Sequence, residues 1–401
     1  MHIVIIGGSF GGLNVAYDLR RLLPHKTHKI TVISKEPRFI FIPSLPWVAM
    51  GSKTIDNISF GLEGPLKSKN IDFIEATVEK IDPESSQVHT PTQNFAYDYL
   101  LVATGHRSAN EAVPGLGPFD GPAHSLMSAP EAEELRETWA TFLEDPGPMV
   151  IGCAPGASCV GPAYEFLFEA HHALKQRKMC HKVPMTFITP EPFLGHFGVG
   201  GFGKIRQYLE GELEDRDVRY HTSAAITKIT GEAVETADGL SFESTFSLIL
   251  PPLAGVKAVA EAPGLGNPKG FIPVDPYYRH KDFSNIYAVG VAVALPPVEE
   301  TPVPVNFPKT GHMTEQMARI AAKSIAADIL GTKKTTHELM AECIMDMGAE
   351  AAHIVADPVR PPRNVSELSS GKRWLWAKRF FSNYYLWKLR RGSNRSPKWV
   401  W

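Results

Sequence analysis

The side chains best suited to chemistry gather in one stretch, residues 150–168, VIGCAPGASCVGPAYEFLF. Cys153 and Cys159 stand there, ahead of a helix whose start Pro162 marks. A thiol before a helix N-terminus is where a thiolate is electrostatically favoured. Thiolates attack sulfur, so the chemistry on offer is thiol–disulfide exchange. A strand–turn–helix of this kind would ordinarily carry the glycine fingerprint that lets a pyrophosphate reach backbone N–H groups. Its three key positions are instead Gly152, Ala154 and Ala157, and two methyl groups crowd the meeting place of cofactor and backbone. The expectation is a dinucleotide turn converted into a sulfur site. Glu165 lies near the same helix end, where it can shuttle protons or simply complement the helix dipole.

The elements that must position these groups begin at the N-terminus. Residues 2–36 read as strand, glycine turn, helix and strand (HIVII, GGSFGG, LNVAYDLRRLL, HKITVIS), the setting a dinucleotide fingerprint requires. Gly7 and Gly12 take its first and last places and Ser9 replaces the middle glycine, with Gly8, Phe10 and Gly11 completing the turn. The second strand ends on Ser34 and Lys35, where a carboxylate for the ribose diol would usually stand. Two later strands run into similar turns. YDYLLVATGH (97–106) ends on Ala103, Thr104 and Gly105, and FSNIYAVGVAV (283–293) carries Gly290, whose N–H is expected to face the ribityl or phosphate groups. A return to the first domain near residue 290 implies that a second Rossmann-like unit is inserted, the layout of flavoproteins with two dinucleotide domains. FAD is therefore the expected cofactor. Pro43 and Pro46, in the loop-like segment 39–49, are placed against its ring system, and Val78 joins the cofactor-binding set. Lys309 or Lys378 is the cation to set against a reduced flavin.

The fold expected is thus α/β: a FAD-binding domain (1–110 and 245–318), an inserted Rossmann-like domain (111–244), and a C-terminal region (319–401) of amphipathic, membrane-interface helices. Ser128 and Glu131 form a capping box that opens the inserted domain. GVGGFGK (198–204) resembles a phosphate loop but has Ile205 where a metal-binding hydroxyl belongs, and reads as a flexible surface loop. Cys343 falls in a segment read as helical, HELMAECIMDMGAEAAHI, where a buried core cysteine is the default; Cys180 is taken as structural. Four cysteines suggest redox chemistry or buried thiols, not a disulfide framework.

Charge is segregated. From Leu368 to Trp401 there are nine Lys or Arg and no acid, leaving 32 basic against 43 acidic residues in the body. Seven aromatics between Trp374 and Trp387 are threaded through the same stretch, a composition suited to the interfacial zone of a bilayer. No apolar run approaches the ~20 residues of a spanning helix and no cleavable signal peptide is visible, so peripheral or monotopic membrane association is expected. Neither nucleic-acid binding nor a metal site is expected.

GASCVGPAYEF, KVPMTFITPEPFLGHFGVGG, PPVEETPVPVNFPKTGHM, the CIMDMG run and the terminal NYYLWKLRRG resemble the sulfide:quinone oxidoreductases, over nearly the whole chain. The resemblance implies FAD, sulfide oxidised to polysulfide or sulfur, and a membrane quinone as electron acceptor. It matches Cys159 and Cys343 to the family's redox pair. Met127 stands where a third family cysteine belongs, and Glu131 where a nearby histidine does. Glu165 and His196 match residues near the sulfur site, Phe381 a ring that contacts the quinone, and Lys378 a lysine at the flavin–quinone junction. HS⁻ would open the cysteine bridge, leaving Cys343 as the thiolate that reacts with the flavin and Cys159 as carrier of the sulfur chain. A homo-oligomer is expected. Three other readings share features: a type II NADH:quinone oxidoreductase, a soluble flavocytochrome-type sulfide dehydrogenase, and a non-enzymatic flavin redox sensor. The first needs an intact nicotinamide site, against which Ala154, Ala157 and the cysteines argue.

Overall fold

Strands that are apolar along their whole length must be covered on both faces, which favours a parallel sheet between helices. Ile3, Val4 and Ile5 are fully buried, as are Val32, Ile33, Leu100 and Leu101. A computed structural model describes residues 1–119 and 121–395. The first unit opens with β1 (His2–Ile6), α1 (Phe10–Leu22), β2 (Lys29–Ser34), β3 (Asp72–Glu75) and β4 (Tyr99–Val102). The chain then leaves to build α2 (Ala129–Phe142), β5 (Met149–Cys153), α3 (Gly161–Gln176), β6 (Met185–Ile188), β7 (Arg219–His221) and β8 (Phe246–Leu250). It returns with β9 (Ile286–Ala288) and α4 (Gly311–Leu330).

The first sheet has the parallel order β9-β4-β1-β2-β3, and the second the parallel order β7-β6-β5-β8. Two Rossmann-like units, the second interrupting the first, are the architecture expected. Ser128 and Glu131 cap α2 reciprocally. α4 packs along α1 and runs through the division drawn at 318/319, so its second half belongs with the first unit's helical layer.

The C-terminal region departs from expectation. The segment read as helical around Cys343 is instead an antiparallel sheet of β10 (Ala341–Asp346), β11 (Ala351–Asp357) and β12 (Val365–Gly371). β11 alternates buried and half-buried positions, the pattern of a strand with one face on the core. A tight turn at 347–350, with Gly348 at φ +85° and Met347 N–H donating to Glu350 O at 2.8 Å, sets Cys343 opposite Ile354. Non-local pairing thus overrode a local pattern compatible with either structure.

One helix follows, α5 (Lys372–Arg390), and it is tied to the first unit. Tyr17 Oη donates to Leu389 O at 3.0 Å and Asn14 Nδ2 to Tyr385 Oη at 3.2 Å, while Lys388 is almost fully buried facing Glu315. Trp376, Phe380 and Trp387 remain on its outer face, more than half exposed. Trp374 instead stacks on His353 at 3.9 Å, and Phe381 packs against Phe41 and Tyr385. The basic stretch continues through Lys398, outside the described residues. Among the described residues no helix is long and apolar enough to cross a membrane.

The first turn depends on a close approach of α1 to β1. A Cβ at Gly12 would meet Gly7 O at 1.8 Å, and one at Gly7, where φ is +107°, would meet Ala103 O at 2.2 Å. Gly12→Ala should therefore lower stability by about 1–3 kcal/mol and weaken cofactor retention, measured by thermal unfolding and by the flavin content of purified protein.

Candidate active site

Cys159 lies in the loop between β5 and α3 and Cys343 in β10, and the two are within electrostatic reach of each other. Cys343 keeps accessible surface although protein atoms crowd its thiol. Cys159 is half-accessible in the same way. The helix-terminus effect expected at Cys159 is present, as a hydrogen bond from Gly161 N–H, but burial outweighs it and pushes the thiol up to about 11. Burial likewise raises Cys343 to about 12, against the pull of the Lys378 ammonium. At neutral pH both free thiols therefore hold their protons. This corrects the expected ready thiolate: desolvation of the charged form exceeds what a helix end supplies.

A base stands beside them. Glu165, on the buried face of α3, is raised to about 7 by burial, with the Lys378 ammonium opposing and the Asp346 carboxylate adding to the rise. Lys378 Nζ donates to Glu165 Oε1, and both side chains are nearly inaccessible. Lys378, though buried, is held above its usual range by Glu165, Glu169 and Asp346. The two directions agree on one state: a lysine that stays charged among carboxylates that do not all stay charged. Asp346 accepts from Trp47 Nε1 and from Gly348 N–H, each at 2.8 Å. Trp47 is held by the segment expected to be a loop. Pro43 lies in a 3-10 turn (Ile42–Ser44) and Pro46 in the helix Leu45–Ala49, each in the first two positions. Of the two, Pro46 is buried and Pro43 is exposed. Glu169, Asp346 and Trp47 were not singled out from sequence, although Glu169 follows Glu165 by four residues and Asp346 follows Cys343 by three.

The first Rossmann turn fits a flavin dinucleotide. Ser9 caps α1 without a side-chain hydrogen bond and is exposed, and the first turn carries no acid, leaving N–H groups for a pyrophosphate. Thr104 Oγ1 is buried without a partner, and a Cβ at Gly105, where φ is +73°, would meet nothing within 4 Å. Lys309 donates to Val291 O at 3.0 Å, and burial lowers it to about 7. His106, missed from sequence, lies beside it and is lowered to about 4 by burial and by the Lys309 charge. Other expected contacts are engaged internally. Ser34 Oγ donates to Glu36 O at 2.9 Å, and Gly290 N–H, expected to face the cofactor, points to Met317 Sδ at 3.3 Å. Lys35 is exposed beside Glu36, and Val78 is half-buried after β3.

The second turn is closed. Gly156 N–H donates to Pro304 O at 2.6 Å, Asn306 Nδ2 to Gly156 O at 2.6 Å, and Asn306 N–H to Ala157 O at 3.0 Å. Segment 304–306 thus occupies the backbone groups that a pyrophosphate would need, beyond the crowding expected from Ala154 and Ala157. Gly152 and Cys153 lie in β5 itself, not in the turn, and Cys153 is fully buried. Cys180 opens a 3-10 turn, with Sγ 3.8 Å from His171 Nε2.

The 198–204 loop, expected to be mobile and exposed, is pinned. Arg363 donates to Val199 O and Gly201 O, and Val199 is buried. His196 serves the same loop: Nδ1 accepts from Gly198 N–H at 3.1 Å, which leaves Nε2 to donate to Glu299 Oε1 at 2.8 Å. Glu191 is fully buried, accepting from Tyr164 Oη and Thr189 Oγ1 at 2.8 Å and Phe197 N–H at 2.7 Å. Among the described residues, no group of three His, Cys, Asp or Glu could hold a metal ion.

The Glu165–Lys378 pair generates a signed prediction. Lys378→Met leaves a buried acid without its cation and should destabilise by about 3–5 kcal/mol at neutral pH. Glu165 binds its proton more tightly folded, near 7, than unfolded, near 4.5. The variant's stability should be greatest below 4.5 and fall as pH rises through 7, whereas K378M/E165Q should show a shallower fall, because Glu165's share is gone while the buried Glu169 remains. Denaturant unfolding at several pH values reads both.

Residues 1–318 match the family model described as pyridine nucleotide-disulphide oxidoreductase. Over 98% of its length the chain is 40% identical to the sulfide-quinone reductase of Aquifex aeolicus, covering 92% of that protein. The X-ray structure of the sulfide:quinone oxidoreductase from Aquifex aeolicus superposes with a TM-score of 0.95 at 39% identity, over 99% of this chain and 93% of that one. A type II NADH:quinone oxidoreductase of Staphylococcus aureus is 23% identical, over 80% of this chain and 81% of its own. By the family match and the long, closely similar relative, the chain belongs to the sulfide-quinone reductases, within the pyridine nucleotide-disulphide oxidoreductases.

Proposed function

We propose that this protein oxidises sulfide to polysulfide or sulfur at Cys159 and Cys343 and passes the electrons through FAD to a membrane quinone. The observation that carries the reading is the meeting of these two thiols, 184 positions apart in the numbering, beside one buried acid–lysine pair. In the oxidised state the two sulfurs are bridged. HS⁻ attacks the Cys159 sulfur, the bridge breaks, a persulfide forms on Cys159, and Cys343 leaves as a thiolate. Lys378 stabilises that thiolate, whose ordinary burial would oppose charge. Glu165 takes the proton released from sulfur, since an acid near 7 is matched to proton transfer at neutral pH. Bound FAD supplies a two-electron acceptor and the link to quinone.

Gly7, Gly8, Ser9, Phe10, Gly11 and Gly12 would hold its pyrophosphate, with Ala103, Thr104 and Gly105 at the second strand end. Lys309, lowered to about 7 by burial, would take up a proton as negative charge develops on the reduced cofactor. His196 acts through the loop it fixes, because both its ring nitrogens are engaged.

Quinone, being apolar, reaches the site along α5. Phe381 adjoins Phe41, which packs on Phe10 at the start of α1, with ring centroids 6.1 and 5.7 Å apart. Trp376, Phe380 and Trp387 share the opposite, exposed stripe with Arg373, Arg379 and Arg390, suited to the headgroup zone of a bilayer. Peripheral association through this stripe, as a homo-oligomer, completes the reading.

Two measurements test it. Anaerobic sulfide should bleach the flavin of the purified protein, while Cys159→Ser and Cys343→Ser should stay oxidised; rapid bleaching by NADH in the wild type would overturn the assignment. In liposome flotation, W376S/F380S/W387S should remain in the soluble fraction while the parent floats. Equal recovery of both would remove α5 as the membrane contact.

A further inference from the structure

Glu169, one turn beyond Glu165 on α3, has no part in the reaction so far. It is nine-tenths buried, and its Oε1 has no hydrogen-bond partner. The groups that face it are Glu165 from its own helix, Asp346 from β10, and Lys378 and Arg379 from α5. Three buried carboxylates thus surround one buried ammonium. Asp346 has an N–H donor on each oxygen. Glu165 is paired with Lys378. Glu169 is left as the acid that burial and its neighbours' charges hold neutral. An unpartnered buried oxygen is unfavourable for folding, so packing supplies no reason for a glutamate at this position. Its surroundings supply one: it stands within electrostatic reach both of Glu165, the base at the sulfur pair, and of Arg379, which is exposed on the outer face of α5.

We propose that Glu169 carries protons from Glu165 to solvent at the Arg379 end during sulfide oxidation, an inference that rests on the function proposed above. Removing two electrons from HS⁻ also releases its one proton, which must leave a site where protein buries both thiols. The S–H bond breaks as Glu165 accepts that proton. Neutral Glu169 gives its own proton to solvent beside Arg379, and the resulting carboxylate takes the proton held by Glu165. Lys378 and Arg379 offset the transient negative charge. Each cycle of this path moves one proton from sulfur to solvent and restores both acids; nothing is oxidised or reduced in it. Glu169 touches no reacting atom, so its role is proton carriage.

The test uses full-length protein with FAD bound. Sulfide reduction of the flavin is followed by stopped flow across pH, in H2O and D2O, for wild type, Glu169→Gln and Glu169→Asp. Glu169→Gln should slow reduction by about a hundredfold, the lower end of what loss of an acid–base group does, and should alter the pH profile. Glu169→Asp should recover most of the rate. Sulfide-induced infrared difference spectra should show a neutral carboxylic acid band in wild type that Glu169→Gln lacks. A Glu169→Gln enzyme with the parental rate and band overturns the path. So does a slow one whose pH profile is unchanged and which Glu169→Asp does not rescue, since that is a structural effect. Should Glu169→Gln fail to fold, a shifted band in Glu169→Asp supports the path and an unshifted one overturns it. Wild-type flavin untouched by sulfide would instead overturn the proposed function.

Discussion

The contact between Lys378 and Glu165 joins the three parts of the chain that must meet for sulfur chemistry. Glu165 comes from the inserted domain and Lys378 from the terminal helix, while Cys343 and Asp346 come from the C-terminal sheet between them. A buried ion pair adds little net stability, because desolvation of both charges consumes most of the attraction. Its effect here is on protonation. The pair keeps a cation next to Cys343 and a carboxyl near neutrality next to both thiols. Without it, two thiols with elevated proton affinity would lose the carboxyl poised to take their protons.

The inserted domain shows how a nucleotide fold can be turned to another use without losing its frame. Its parallel sheet and its helix α3 remain, but segment 304–306 closes the turn through hydrogen bonds of 2.6 to 3.0 Å. Glu191, just past β6, is likewise held by Tyr164, Thr189 and Phe197 and is unavailable to a ligand. The first domain keeps its turn open, with the α1 N-terminus uncapped by side chain. Two copies of a similar topology thus hold one open turn suited to a dinucleotide and one closed turn beside the candidate cysteines.

The terminal helix works on two faces. Its inner face brings Lys378 and Tyr385 into the body and buries Leu386 and Leu389; its outer face presents aromatic and basic side chains. The same 19 residues thus carry Lys378 into the candidate site on one side and leave an aromatic, basic stripe exposed on the other. Attachment of this helix to α1 through Tyr17 and Asn14, and to α4 through Lys388 and Glu315, holds both faces in register with the first Rossmann turn.

What the sequence by itself determined lies in local patterns. Apolar strands with glycine turns specified the two Rossmann-like units, because a βαβ turn has strict steric needs at Gly7 and Gly12. The capping box at Ser128 and the amphipathic, aromatic α5 were legible for the same reason. Tertiary structure alone decided the rest. Cys343 lies in a strand because its partner, Ile354, lies across a turn, and short apolar runs do not separate helix from strand. The thiols hold their protons because burial, a property of the assembled fold, outweighs the helix end that is visible in sequence. The buried carboxylates gain their meaning from charges more than a hundred residues away, since electrostatic energy depends on distance in space and on surrounding dielectric, not on position along the chain.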